Sequence, residues 1–295
     1  MINFSMPKLG RVGLCGLKIA LWLGCHGTQQ PLPAQVPPPL RPKDTCVVYL
    51  GNEPVRLFHY QQGPPSGLYF VALHDNENTC VEAILPILQA NYGHFIELRA
   101  KNKRFLDFRH QGKAYFADPN RIFSSDSTAV IFNAFALSPQ QVRMRSRELY
   151  QMQREAVRPF AEALENSFRP AGLVVSLHNN FHTSDAGSYN LTWYLNGGKE
   201  QAQARAVYCN PKRSNSDFFV VTDTFFFVAF QERGFNVVLQ ESKPQDDGSL
   251  SVFCAKKNIP YINIEVKHGR DQEQREMILA VYAVLRAYDY QPKRR

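Results

Sequence analysis

No CxxC pair occurs among the six cysteines, Cys15, Cys25, Cys46, Cys80, Cys209 and Cys254, which argues against a cysteine-ligated zinc site. No apolar run reaches the length of about 18 residues that a spanning helix needs. No repeat of fixed period is present, so a solenoid or propeller array is excluded. Long blocks of one charge are also missing. The net charge is +8 over 295 residues, but the basic residues are scattered. The groups at Lys101, Lys103 and Arg104 and at 293–295 are too small for a nucleic-acid footprint. A moderate positive field still draws carboxylate substrates or anionic surfaces. What is there is enough to fold: hydrophobic residues make up 44% and charged residues 20%, the balance of a packed globular chain. The length allows one large domain or two small ones.

Residues 1–26 differ from the rest. Lys8 and Arg11 precede the apolar run VGLCGLKIALWLGC, residues 12–25, which reads as an export signal interrupted by Lys18. Its end, Leu-Trp-Leu-Gly-Cys, resembles a bacterial lipoprotein signal in which Cys25 would carry the lipid and anchor the chain to a membrane; Trp22 departs from the usual pattern. Residues 27–43, GTQQPLPAQVPPPLRPK, hold six prolines and little to bury, the composition of an extended tether. The expected location is exported, periplasmic or lipid-anchored to a bacterial membrane, with the cytoplasm as the alternative. The domain proper is expected over 44–295 as a monomer. Its four cysteines, Cys46, Cys80, Cys209 and Cys254, allow up to two disulfides.

Within that domain, short apolar runs alternate with helical patterns. LYFVAL (68–73), FIELRA (95–100), LVVSL (173–177), VVL (237–239) and YINIEV (261–266) read as strands. Helices are expected over roughly 79–90, 138–168, 223–234 and 271–288. Ser138 and Gln141 form a capping box around Pro139, and Pro159 is expected to kink or split the long helix. Gly234 closes the third helix. Asp271 is the expected N-cap of the last, with Met277, Val281, Val284, Leu285 and Tyr288 on one face. Apolar strands flanked by helices imply an α/β three-layer sandwich: a central mixed, mostly parallel twisted sheet covered by helices on both faces.

Ligands in such sheets bind beyond the strand ends. Three of these strands meet ionisable groups there. LYFVAL runs into His74 and Glu77, LVVSL into His178, and YINIEV contains Glu265. One strand-end histidine is ordinarily a hydrogen-bonded structural residue. A glutamate inside an apolar strand is unfavourable unless paired. Together they fit one chemistry. A catalytic zinc takes three protein ligands and keeps one position open. His74 and Glu77 supply a short-spaced edge and His178 a distant third ligand, with His182 as the alternative. Two imidazoles and one carboxylate leave a charge near +1, which acidifies water and favours anionic tetrahedral species. Glu265 is then the candidate base, taking the water's proton and passing it to the leaving amine. Asn120 and Arg121 follow Asp118-Pro119, a turn-forming context, and an Arg beside an Asn can fork a substrate carboxylate.

His-x-x-Glu, then Asn-Arg-x-Phe, then a His closing an apolar strand, then a Glu in a late strand resembles the zinc carboxypeptidases of the carboxypeptidase A type. It also resembles their relatives, the succinylglutamate desuccinylases and aspartoacylases. His74-Asp75-Asn76-Glu77 is similar to the His-Gly-Asn-Glu of the second group, as His178-Asn179 is to its His-Asn. Asp118-Pro119-Asn120-Arg121 is similar to the Asp-Leu-Asn-Arg of both. The resemblance covers roughly 65–290. It implies that His74, Glu77 and His178 bind Zn2+, that Asn120 and Arg121 hold the substrate's carboxylate, and that Glu265 is the general base. It also implies an arginine that polarises the scissile carbonyl: Arg104, preferred by the carboxypeptidase spacing, with Arg109 favoured by the shorter desuccinylase gap. The mobile tyrosine of carboxypeptidases has no counterpart in 240–250; Tyr261 is close in sequence but lies in a strand, and Tyr189 and Tyr194, after the third ligand, are the candidates. The expected function is cleavage of an amide bond next to a free carboxylate, by a metallocarboxypeptidase. The alternatives are an N-acyl amino acid deacylase and a non-catalytic binding protein on the same fold. The expected partner is a peptide or acyl-amino acid substrate.

Overall fold

The structure is a computed structural model that describes residues 38–135, 139–168, 171–180 and 189–292. Cys15, Cys25, Ser138, His182 and all of 1–26 lie outside the described residues. The chain forms a hairpin of β1 (Asp44–Leu50) and β2 (Glu53–Gln62), then β3 (Leu68–Ala72), α1 (Asn78–Gln89) and β4 (Gly93–Arg99). A second hairpin pairs β5 (Leu106–His110) with β6 (Lys113–Ala117). Helices α2 (Ser127–Ala134), α3 (Pro139–Met144), α4 (Ser146–Met152) and α5 (Arg158–Phe168) lead to β7 (Leu173–Asn180). After β8 (Ala204–Tyr208) come β9 (Phe218–Val221), α6 (Thr224–Glu232) and β10 (Val237–Gln240). α7 (Leu250–Lys256), β11 (Tyr261–Lys267) and α8 (Asp271–Ala287) complete the described elements.

Nine strands make one mixed sheet in the order β1-β2-β4-β3-β7-β11-β9-β10-β8. Its middle, β4-β3-β7-β11, is parallel, and β9 is parallel to β10. β9 runs antiparallel to β11, as do the pairs at both edges. Alternation along the buried strands sets the layers. In β7, Leu173, Val175 and Leu177 pack with the buried faces of α1, α6 and α8, while Val174 packs with those of α2, α4, α5 and α7. The expected three-layer α/β sandwich is the observed one.

The same alternation builds the site. Ser176 and His178 share the face of Val174, and Asn263 and Glu265 share the face of Tyr261. Parallel pairing sets Glu265 beside His178 and Asn263 beside Ser176. β7 extends past the apolar run LVVSL because β11 still pairs with His178, Asn179 and Asn180. His178 therefore lies inside a strand rather than after it.

Local details depart from expectation. The helical stretch breaks first at Arg145, and Gln153–Val157 forms a wider π-helical turn before α5. Pro159 is the second residue of α5 and does not split it. It has no N–H to donate one turn back, and the wider turn makes room for its ring. Arg270, not Asp271, is the N-cap of α8, and Tyr288 is its C-cap, 47% exposed rather than on the buried face. Cys46, Cys80, Cys209 and Cys254 are thiols, so the two disulfides their number allows do not form. Cys80 and Cys254 are buried in the packing layers on opposite sides of the sheet.

Candidate metal centre and substrate cavity

The turn between β3 and α1 closes through a hydrogen bond from Glu77 N–H to the His74 carbonyl, 3.1 Å. Glu77 occupies the N-cap of α1, yet its carboxylate makes no cap bond. Asn179 does that work from the neighbouring strand: its Oδ1 accepts from Cys80 N–H at 3.0 Å, and its own N–H donates to Glu77 Oε2 at 2.9 Å. A helix end needs acceptors for its first N–H groups. Because Asn179 supplies one, the Glu77 carboxylate is free to face the two histidines.

His74 Nδ1 lies 2.8 Å from Glu77 Oε1, and His178 Nδ1 lies 3.0 Å from Glu77 Oε2. The three ligand atoms fall within 4.8 Å of one another, and all three residues are buried. Each ring is held from behind, His74 Nε2 by Asp118 Oδ1 at 2.9 Å and His178 Nε2 by Ser176 Oγ at 2.9 Å. With Nε2–H donated to Asp118, Nδ1 of His74 presents a lone pair toward a carboxylate oxygen. That Nδ1 has no hydrogen-bond partner among the described residues, close as Glu77 is. Two electron-rich atoms buried face to face call for a cation between them. Without a metal a proton fills that place. Burial disfavours a charged His74, but the Glu77 and Asp118 carboxylates outweigh it and raise the pKa to about 9. Burial likewise opposes ionisation of Glu77, yet His74 and His178 hold its carboxyl well below the usual range. Two imidazoles and one carboxylate with outer hydrogen-bond partners form the donor set of a catalytic zinc site, so the residues present fit the metal.

A cavity of about 510 Å³ opens over these donors, and Arg104, Asn120, Arg121 and Glu265 all line it. Arg104 Nη1 donates to Glu77 Oε1 at 2.6 Å, and its Nη2 is 3.9 Å from Asp118 Oδ2. Arg109, the other candidate, lies in the β5–β6 hairpin and donates to the Gly112 carbonyl at 3.1 Å. Arg104 is carried by a loop with left-handed backbone at Lys101 and Asn102, unfavourable for side-chain-bearing residues. Asp75 stabilises that loop: its Oδ2 accepts from the N–H groups of Ala100 and Asn102, both at 2.6 Å. Asn120 Oδ1 accepts from Leu250 N–H at 3.1 Å, at the start of α7. Arg121 donates to the Asn120 carbonyl at 3.0 Å and lies 3.7 Å from Asp247. Asp247 gets there because Gly248 has φ +77° and packs where a Cβ would sit 2.3 Å from the Arg121 carbonyl oxygen. Burial, with Glu77 adding to it, pushes the Glu265 carboxyl above its usual range; His178 and a 2.9 Å hydrogen bond from Asn263 oppose the shift. Tyr189, Tyr194 and Tyr261 also reach the cavity, and the Tyr189 and Tyr194 hydroxyls are hydrogen-bonded to each other.

All seven candidate residues thus meet at one cavity. The residues behind them are less legible in the sequence: Asp118 reads only as part of a turn, and Ser176, Asn179 and Asn263 read without a role. Ser176 and Asn263 each stand two positions before a candidate residue on its strand. The period of two was the signal that could have found them.

No known family model matches this sequence, and no curated protein matches it either. Solved structures do match in fold. A metallo-carboxypeptidase from Burkholderia cenocepacia aligns over 83% of this chain at 10% identity and TM-score 0.44. The chain spans 65% of that protein's length. A murein-tripeptide amidase from Escherichia coli O157 aligns over 86% of this chain and 94% of its own, at 15% identity and TM-score 0.42. The succinylglutamate desuccinylase from Chromobacterium violaceum aligns over 83% and 74%, at 13% identity and TM-score 0.41.

Proposed function

We propose that this protein is a zinc-dependent hydrolase that cleaves an amide bond next to a free carboxylate, as a metallocarboxypeptidase does. The observation that carries the proposal is the buried His74, Glu77 and His178 donor set with Glu265 beside it in register. When bound, zinc supplies Lewis acidity, acidifying water and polarising an amide carbonyl. His74 and His178 would offer Nδ1 to it, their rings fixed by Asp118 and Ser176. Glu265 takes a proton at a carboxylate oxygen and returns it to the leaving nitrogen. A carboxyl raised by burial suits both halves of that task. Arg104 stabilises negative charge on the former carbonyl oxygen. Arg121 binds the substrate carboxylate, giving up part of its contact with Asp247.

A second reading, an N-acyl amino acid deacylase, draws on one observation. Two arginines, Arg104 and Arg121, line the same cavity, as a doubly anionic ligand would require. A screen of peptides and N-acyl amino acids with the zinc-loaded protein, products identified by mass spectrometry, tests both. Release of a C-terminal residue supports the peptidase, and release of an acyl acid supports the deacylase. No turnover of either class, with zinc bound, would refute the proposal.

Asp75 offers a test of Arg104. Asp75→Ala removes the acceptor for two backbone N–H groups of the loop that carries it. The expected result is a fall in kcat/KM of about 10- to 100-fold, the scale of a small misplacement of a catalytic group. Zinc content should not change. An unaltered kcat/KM would show that the loop does not position Arg104.

A further inference from the structure

One wall of the cavity is rich in acceptors that lack donors. Gln240 and Asn263 are only 5% and 8% exposed. Yet Gln240 Oε1 and Asn263 Oδ1 have no hydrogen-bond partner among the described residues. Asn263 cannot swap its amide ends without losing the bond from its Nδ2 to Glu265. Gln203 Oε1 is in the same condition, its Nε2 turned to the Gln245 carbonyl at 3.4 Å. The sheet brings Gln240 and Asn263 to one wall: Asn263 on β11 is in register with Val220 on β9, Val220 with Val238 on β10, and Gln240 lies two residues beyond on the same face. Buried acceptors without donors are unfavourable, and a ligand that donates to them relieves that state. Glu200 adds a carboxylate to the same cavity. Its neighbour Lys199 is directed over the Trp193 ring, 4.5 Å from the centroid.

We infer that this wall is the subsite for the side chain of the residue held at Arg121, and that it takes a cationic, donor-rich group, an ammonium or guanidinium. The inference rests on the hydrolase reading above and deepens it. Asn263 supplies an acceptor oxygen fixed by the bond from its Nδ2 to Glu265, Gln240 a second buried amide oxygen, and Glu200 the opposite charge. Asp247 lies 3.7 Å from Arg121; Glu200 feels the same arginine but makes no ion pair with it among the described residues. An uncharged chain of equal length would leave the acceptors unpaired, which is how a polar pocket rejects an apolar analogue.

The test uses the full zinc-loaded chain and N-acylated dipeptides ending in lysine, arginine, leucine or norleucine, which keeps lysine's four-carbon chain without the ammonium. Lysine and arginine ends are expected to exceed norleucine in kcat/KM by about tenfold or more. In Glu200→Gln the lysine-to-norleucine ratio should fall toward unity. Gln240→Leu should lower the same ratio, with retained zinc content reporting a folded site. Norleucine cleaved as well as lysine overturns the inference. So does an equal loss for every substrate in Glu200→Gln, since Glu200 would then act only by balancing Arg121. If no dipeptide is cleaved, the hydrolase reading falls. Calorimetry with free lysine and free norleucine then reads the subsite alone. Tighter lysine binding sustains the inference, and equal or tighter norleucine binding overturns it.

Discussion

Replacing Glu265 with Gln is expected to lower kcat by about 10²- to 10⁴-fold, the range that a positioned general base contributes. Zinc content should stay at the wild-type level. The substitution keeps the shape of the side chain but removes the group that can take a proton. Glu265 is 6% exposed and sits beside His178 across a parallel strand pair, so the amide replaces it without moving the backbone. One of its oxygens accepts from Asn263 Nδ2, a bond that Oε1 of a glutamine can also accept. The wild-type cavity should therefore persist, with substrate binding measurable in the inactive variant. Steady-state kinetics with metal analysis on the same sample checks the result. Activity within a few-fold of wild type would remove Glu265 from the mechanism.

His74→Ala should lose the metal. Of the three donors only Glu77 and His178 would remain, and a zinc site with two protein ligands is weak. Metal analysis is expected to fall from about one zinc per chain to near zero, and activity with it. Unchanged zinc content would mean that the ligand assignment is wrong. The metal-free proteins should differ as well. In wild type the imidazole lies between Glu77 and Asp118, whose carboxylates raise its pKa to about 9 against burial. Breaking a buried pair of this kind costs about 3 kcal/mol or more, because it strands a charge. Urea denaturation of the two metal-free proteins near neutral pH should show that loss. Arg104, already in contact with Glu77, sets a limit on it.

Much of this was legible along the chain. The strands of the sheet's middle announce themselves as continuous apolar runs because both of their faces are covered. His74, Glu77, His178 and Glu265 stand out because ionisable groups against such runs are unfavourable without partners. The two hairpins each carry a turn signal. Gly51-Asn52 joins β1 to β2, and Gln111-Gly112, both with positive φ, joins β5 to β6. Two residues able to adopt positive φ between alternating segments are a hairpin signature. The choice between Arg104 and Arg109 followed a spacing that two groups of relatives set differently. The structure separates them by placing one at the cavity and the other in a hairpin.

By itself the sequence determined the layer architecture and the residues at the cavity, since both follow from local pattern: strand periodicity, and the cost of an ionisable group beside an apolar run. Only the tertiary structure decided what stands behind and around those residues. Asp118 and Ser176 become ring-holding partners because separate elements converge on His74 and His178. Asn179 caps a helix from another strand and so turns Glu77 toward the site. Gln240 and Asn263 come to one acceptor wall through strand order and register, which bring together residues far apart along the chain. Such convergence is set by which strands lie side by side, and no single stretch of sequence encodes it.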